Sequence, residues 1–350
     1  MRIRAALAAL PLSLLVLAAC GTDDSATPTT SASASSSGSA VTAATLGPDV
    51  PAATALAAAV PAAELPTATG DFGTKATLEF PAGNPVPSLQ REILTEGKGA
   101  EAEAGDYLEV NYLGQVWGGE VFDNSYDKKQ SFSFKIGEGV VSGWSVGLTG
   151  VKQGSRVLLS LPPADGYGAT GNSDGSIKGT DTIVFVIDVI NVIKSDATGQ
   201  TDATPNKDLP KTGIPKVTGK LGEEPTIEIG DAPEPTKAEV IVLATGTGEK
   251  VVAGDVVGQL VVTAWDGSQT TSTWASETDD GADPSTKGLQ KITAAVGTDG
   301  QESVTEGLIG VPIGSRVMIL LPGTSDSTTG QTSTAAVAVM DIVAQVSKTG

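Results

Sequence analysis

The chain has no histidine, a single cysteine, few aromatic residues and a deficit of cations. Without histidine there is no Ser–His–Asp or Cys–His nucleophile system and no imidazole ligand for zinc. One cysteine excludes an intramolecular disulfide and Cys-rich metal knuckles. A formal net charge of −19 leaves no basic surface of the kind that nucleic-acid binding rests on, so nucleic acid is not expected as a partner. No metal or cofactor is called for. What remains is a chain of 350 residues, 39% hydrophobic, with 43 Gly and 20 Pro. That length implies about two domains, and that composition favours short strands and turns.

The first residues read as an export signal. Arg2 and Arg4 precede an apolar run from Ala5 to Leu17, too short for a membrane span. Leu17-Ala18-Ala19-Cys20 resembles the bacterial lipobox, in which the cysteine is lipidated and becomes the mature N-terminus. The expectation is a signal peptide over 1–19, then lipidated Cys20 and a disordered low-complexity tether over 20–66, with the stretch from Pro51 to Leu65 partly helical. No later run approaches 18 apolar residues, so the expected anchor is lipid alone, holding the protein at the membrane outside the cytoplasm.

An internal repeat sets the domain plan. Gly147–Pro162 reads GLTGVKQGSRVLLSLP, and Gly307–Pro322 reads GLIGVPIGSRVMILLP. Upstream, Ala104-Gly105-Asp106 matches Ala253-Gly254-Asp255, and the segment from Thr69 to Gly73 matches Thr218 to Gly222. Two copies of one domain account for this better than a solenoid, whose repeats are shorter. The expected plan is a first domain over 67–195, a linker over 196–213 and a second domain over 214–347. The linker contains Leu209-Pro210-Lys211-Thr212-Gly213, which matches a sortase sorting motif. The apolar span and basic tail that should follow are missing, so it is read as coincidence. Leu108, Val110 and Tyr112 alternate with polar residues as in a half-buried strand, and so do Phe132, Phe134 and Ile136. Val157–Leu161 and Ile183–Ile193 are more continuously apolar and predict central strands. Gly143–Val151 is the one stretch suited to a short helix. The predicted class is α+β.

Aromatic residues of the first copy fall in a few short motifs. In order they are Tyr112, Val121-Phe122-Asp123-Asn124-Ser125, Phe132, Val140-Val141-Ser142-Gly143-Trp144, Asp165-Gly166-Tyr167-Gly168 and Phe185. This order, from about Gly99 to Ile193, resembles the FKBP-type peptidyl-prolyl cis-trans isomerases. The resemblance implies two FKBP-like domains, each a twisted antiparallel β-sheet wrapped around a short α-helix. It implies a pocket with Trp144 as floor, Tyr112, Phe132 and Phe185 as walls, and Phe122, Asp123, Val140, Val141 and Tyr167 at the rim. Asp123, Tyr167 and Val141 form the implied catalytic set: the Val141 N–H and the Tyr167 hydroxyl hold substrate carbonyls while Asp123 orients the rim. The implied partners are X–Pro segments of exported polypeptides and macrolides like tacrolimus or rapamycin. The chain departs from the family pattern over Asn172–Gly179, where Ile177 is expected to supply the missing apolar contact. A second reading of the same pocket is a peptide-binding or chaperone lipoprotein that grips without turnover.

The second copy reads as emptied. The shared blocks set Tyr112 opposite Val261, Trp144 opposite Val304, Tyr167 opposite Ser327 and Phe185 opposite Ala338. The expectation is an FKBP-like fold without isomerase activity; the rival is that Trp265 and Trp274 build a different peptide surface. Asp266–Glu277 has the length of a calcium loop, but Thr271 stands where that loop needs Gly.

Overall fold

The computed structural model describes residues 56–57, 59, 61, 64–274, 288–297, 303–325 and 332–346. The expected signal peptide, Cys20, most of the tether and Ser327 lie outside them. Strands β1 (Thr67–Thr69) and β2 (Thr77–Glu79) form a hairpin ahead of the first sheet. That sheet contains β3 (Gln90–Thr95), β4 (Tyr107–Val116), β5 (Val121–Asn124), β6 (Phe132–Lys135), β7 (Arg156–Leu161) and β8 (Ile183–Ile193). All pairings are antiparallel in the order β3-β7-β8-β4-β5, with β6 also on β4. Helix α1 (Ser125–Lys128) is a single turn after β5, and α2 (Ser142–Leu148) packs against β7. The alternation that predicted β4 and β6 and the apolar runs that predicted β7 and β8 therefore resolve as strands. Gly143, Trp144, Gly147 and Leu148 are the buried stripe of α2. A Cβ at Gly143 would lie 2.5 Å from Leu161, and one at Gly147 would lie 2.7 Å from Leu159. Two glycines thus let the helix approach β7 closely and carry Trp144 into the core.

The architecture repeats after one two-residue strand. Strand β9 (Thr204–Pro205) precedes the hairpin β10 (Lys216–Thr218) and β11 (Thr226–Glu228). The second sheet holds β12 (Glu239–Thr245), β13 (Gly254–Ala264), β14 (Thr270–Ser272), β15 (Gln290–Ala294) and β16 (Arg316–Leu321). After a short β17 (Thr324–Ser325) and β18 (Thr332–Ser333) pair comes β19 (Ala336–Gln345). Its order is β14-β13-β19-β16-β12-β9 with β15 on β13, which reproduces the first sheet and adds β9 at the edge.

Each sheet carries its hairpin on the face opposite its main core, fixed by a buried arginine. Arg156 donates to the carbonyls of Gly70 and Thr74, both at 2.6 Å, and Arg316 donates to those of Lys220 and Glu223. Arg156 pairs with Asp188 and Arg316 with Asp341, all four almost fully buried. Behind these ties, Ala76 and Leu78 pack on Leu113, Leu158 and Val186 in the first copy. In the second, Val217, Ile227 and Trp265 pack on Met318, Leu320 and Val337. Tyr107 and Ile193 of the first copy also cluster with Val257, Leu289 and Val346 of the second. The Gln259 amide donates to the carbonyls of Ser195 and Ala197 across that seam.

Three expectations change. The end of the tether is packed: Leu65 is buried, and Leu56 lies against the first core beside Ala57, whose N–H donates to the Leu89 carbonyl just before β3. The stretch 196–213 is docked, with Ala203 buried, Ala197 in the seam and β9 paired to β12. Among the described residues the second copy has no α-helix; Glu306–Leu308 forms one 3₁₀ turn where α2 would lie. β-Branched Val304 and Thr305 precede that turn, and their restricted side-chain rotation disfavours a helix. Trp265 packs partly buried on the hairpin cluster, and Trp274 is buried.

Candidate active site

One face of the first sheet gathers the aromatic residues around one indole. Trp144 is buried in α2, and its ring lies 5.4 Å from Tyr112, 6.1 Å from Phe132, 5.3 Å from Phe134 and 5.1 Å from Phe185. Most of these contacts are edge-on, the arrangement favoured by ring quadrupoles. β4 supplies Tyr112, β6 supplies both phenylalanines on one face, and β8 supplies Phe185. Phe122 extends the wall from β5, edge-on to Phe185 at 5.6 Å. The Trp144 Nε1–H is buried and has no hydrogen-bond partner among the described residues. Such an orphan donor costs about 1–3 kcal/mol unless a ligand accepts from it.

The polar groups lie on one side of this box. The Tyr112 hydroxyl donates to Asp123 Oδ2 at 2.6 Å, and Lys128 Nζ sits 2.5 Å from Asp123 Oδ1. Burial, the bond to Asp123 and the charge of Asp123 push the Tyr112 hydroxyl well above the ordinary phenol range. Tyr167 is raised as well, first by burial and then by the charges of Asp123 and Asp174. Both phenols are therefore neutral donors at physiological pH. Among the described residues neither the Tyr167 hydroxyl nor the Val141 N–H has a hydrogen-bond partner. Val141 is the N-cap of α2, its own carbonyl accepting from Trp144 N at 3.0 Å. Val140 packs at the rim.

The departing loop closes on itself. Asn172 accepts the Ile177 N–H on its side-chain oxygen at 2.8 Å and donates from its amide nitrogen to Ser176 at 2.7 Å. Ile177, 2% exposed, joins the same core cluster as Trp144.

All ten expected pocket and rim residues thus belong to one neighbourhood; Cys20 lies outside the described residues. Three contributors escaped sequence reading. Phe134 shares the face of Phe132 two residues earlier, a period-two signal that was available. Lys128 carried no signal beyond its charge. Gly114 lies beneath Phe122 and Phe185, and a Cβ there would sit 2.6 and 2.7 Å from the two rings.

Pairing register corrects the comparison of the two copies. A bulge falls between Glu109 and Val110 on β4 and between Val257 and Gly258 on β13. The Tyr112 N–H donates to Ser125 Oγ, which donates to Asn111; the Leu260 N–H donates to Thr273 Oγ1, which donates to Gln259. Tyr112 therefore corresponds to Leu260, one residue from the expected Val261, and a one-residue slip reverses the face of a strand. By the same register Phe132 corresponds to Gln290, Asp123 to Thr271 and Phe185 to Ala338. Val304, expected opposite Trp144, packs on the second core.

The first sheet thus brings together an aromatic cluster around Trp144, two neutral phenols and one carboxylate held between Tyr112 and Lys128. Residues 98–190 match the family FKBP_C, FKBP-type peptidyl-prolyl cis-trans isomerase. The chain is 37% identical over 120 residues to the FK506-binding protein of Streptomyces anulatus, covering 34% of this chain and 97% of that one. It is 37% identical over 118 residues to the probable FK506-binding protein of Corynebacterium glutamicum, covering 33% and 98%. The crystal structure of FkpA from Escherichia coli is similar at 34% identity and a TM-score of 0.29, covering 30% of this chain and 48% of that one. The chain belongs to the FKBP-type peptidyl-prolyl cis-trans isomerases, and peptidyl-prolyl isomerisation is its enzymatic activity.

Proposed function

We propose that residues 67–195 isomerise X–Pro bonds of exported polypeptides at the outer surface of the membrane, and that residues 214–347 are a degenerate FKBP-like domain without turnover. The observation that carries this reading is the box of Tyr112, Phe132, Phe134 and Phe185 around Trp144, with its polar groups on one side. The barrier to X–Pro rotation, ~18–20 kcal/mol, is the resonance lost as the C–N bond twists. A twisted amide is less charge-separated than a planar one, so an apolar pocket favours it over the solvated ground state. Each tenfold acceleration needs about 1.4 kcal/mol of such difference.

The proline ring would rest on Trp144, while the Val141 N–H and the Tyr167 hydroxyl hold the flanking carbonyls. Asp123, tied between Tyr112 and Lys128, fixes the rim and its field. Macrolides of the tacrolimus and rapamycin kind would enter the same box, with the Asn172–Gly179 loop setting their fit. Arg2, Arg4, the apolar run and Leu17-Ala18-Ala19-Cys20 support export and lipid attachment at Cys20. Replacement of Tyr112, Trp144 and Phe185 by aliphatic counterparts supports the inactive second domain.

Exchange NMR on a proline peptide with the full chain tests the catalytic reading. Wild type should turn over, Asp123→Ala with Tyr167→Phe should lose tenfold or more, and Trp144→Leu should lose nearly all activity. A wild type that binds the peptide without turnover would establish the grip-only reading instead. Full activity in Trp144→Leu would move the site to the second domain. For the anchor, Cys20→Ser should release the protein from membranes; retention there would sink the lipid assignment.

A further inference from the structure

We infer that Tyr126 is a positioning residue of the isomerase site, coupling the β1–β2 hairpin through Asp188 to the turn that holds Lys128 against Asp123. The inference rests on the isomerase reading of the pocket and concerns parts of the chain that touch no substrate. The hairpin lies outside the segment that matches the family, residues 98–190.

The two copies use the same buried Arg–Asp pair differently. In the second, Arg316 grips both oxygens of Asp341, with Nε at 2.5 Å from Oδ1 and Nη2 at 2.9 Å from Oδ2. Both arginines also donate from their Nη atoms to hairpin carbonyls, Arg156 to Gly70 and Thr74 and Arg316 to Lys220 and Glu223, but in the first copy no Nη hydrogen-bonds the carboxylate as well. Only Nε faces Asp188 Oδ1, at 3.1 Å and off the line of a hydrogen bond. Oδ2 is left to accept from the Gly73 N–H at 2.6 Å and from the Tyr126 hydroxyl at 2.7 Å. The carboxylate that only closes the frame in one copy therefore joins hairpin to site turn in the other. Burial, with the bond to Asp188 second, raises the Tyr126 phenol, so it remains a donor.

The turn it holds bears directly on the rim. Tyr126 lies in α1 between Ser125, which accepts the Tyr112 N–H, and Lys128, which faces Asp123. A second tie from the hairpin reaches the same turn, Lys75 to Asp127 at 2.6 Å. α1 has only four residues and ends at Lys129 with φ 52°, a left-handed conformation that costs a non-glycine residue energy. So short a turn is marginal alone, even with Asn124 accepting the Asp127 N–H at its start, and the ties from Tyr126 and Lys75 add to what sets where Lys128 points. The second copy supplies the contrast. Thr273 matches Ser125 in its hydrogen bonds, so Tyr126 corresponds to Trp274, which has no hydroxyl, and Asp123 corresponds to Thr271. Where the rim carboxylate is missing, so is the tie that would orient its partner.

The test is a double-mutant cycle in the full chain. Tyr126→Phe, Lys128→Met and the pair are compared with wild type by exchange NMR on a proline peptide, and their unfolding midpoints are recorded. Tyr126→Phe should lower kcat/KM about three- to tenfold, the scale of one net hydrogen bond. Lys128→Met should lower it similarly, and the double variant should lose no more than Lys128→Met alone, because the phenol acts through the lysine. Losses that multiply, or a Tyr126→Phe variant that unfolds at lower temperature yet keeps the wild-type rate, would overturn the inference and leave Tyr126 as frame. A wild type without turnover would overturn the isomerase reading and this inference together. A wild type that turns over beside an unaffected Tyr126→Phe overturns this inference alone.

Discussion

Gly114→Ala is the smallest change that tests how the pocket wall is built. One methyl on β4 would lie 2.6 Å from Phe122 Cζ and 2.7 Å from Phe185 Cε1. Carbon atoms rest at about 3.5–4.0 Å, so the rings must retreat by roughly 1 Å. Phe185 cannot yield, because it is 4% exposed and backed by Trp144 at 5.1 Å. Phe122 is only partly buried, so it is the ring that swings outward. Overpacking of this kind costs about 1–3 kcal/mol, and the edge-on contact with Phe185 contributes about 0.5–1.5 kcal/mol of what is lost. The expected result is destabilisation by about 2 kcal/mol in urea denaturation and a five- to tenfold loss in kcat/KM on a proline peptide. Adding Phe122→Ala should restore most of the stability, since it removes the clashing ring, but not the activity, since it removes the wall. A Gly114→Ala protein with wild-type stability and turnover would refute the close packing of these rings and their place in the site.

The buried ties and the seam yield two further expectations. Arg156→Met strands Asp188 in the interior and should cost about 3–5 kcal/mol, with faster hydrogen exchange in the β1–β2 hairpin; unchanged stability would show that Asp188 finds other partners. Tyr107, in the seam between the copies, is pushed up to about 12 by burial and then by the charges of Glu138 and Asp255. A raised phenol gives its stabilisation in full below its ordinary value near pH 10 and loses it as pH climbs through the folded value. Denaturant stability should therefore decline between about pH 10 and 12, and Tyr107→Phe should decline less. An equal decline in both proteins would place the alkaline sensitivity elsewhere.

Much of the first copy was legible because its signals are local. Alternation in β4 and β6, apolar runs in β7 and β8, and the ordered aromatic motifs each declare themselves within a few residues. The hairpins did not. Their strands are three residues long, and what fixes them is Arg156 and Arg316, which lie far away in sequence and read as ordinary strand positions. The match of Thr69–Gly73 to Thr218–Gly222 was visible, but only the structure shows that these segments carry carbonyls the arginines bind. The one-residue error at Tyr112 has a similar cause. Asp106 is buried and accepts from Lys194 and the Ser195 N–H, whereas Asp255 is more exposed and pairs with Lys291 and Thr293. A three-residue identity aligned two aspartates that do different work. Gly114 was illegible for another reason: a site can require the absence of a side chain, and sequence alone does not say which rings would otherwise collide with it.

The two copies together separate what the sheet needs from what the pocket needs. The ties that hold the frame recur: Ser155 and Ser315 each accept a glycine N–H, from Gly97 and Gly246, at 2.9 Å. Ser125 and Thr273 recur in their bonds to the central strand, and so do Arg156 with Asp188 and Arg316 with Asp341. These groups are buried and polar, so losing one partner would strand the other. The aromatic box does not recur. Leu260, Val304 and Ala338 stand where Tyr112, Trp144 and Phe185 stand, and the second core still closes around Leu308, Val317, Ile319 and Met340. Aliphatic side chains of suitable total volume thus suffice to build this sheet. The rings of the first copy are therefore not a requirement of the fold, which is why their replacement tests the isomerase site and not the frame.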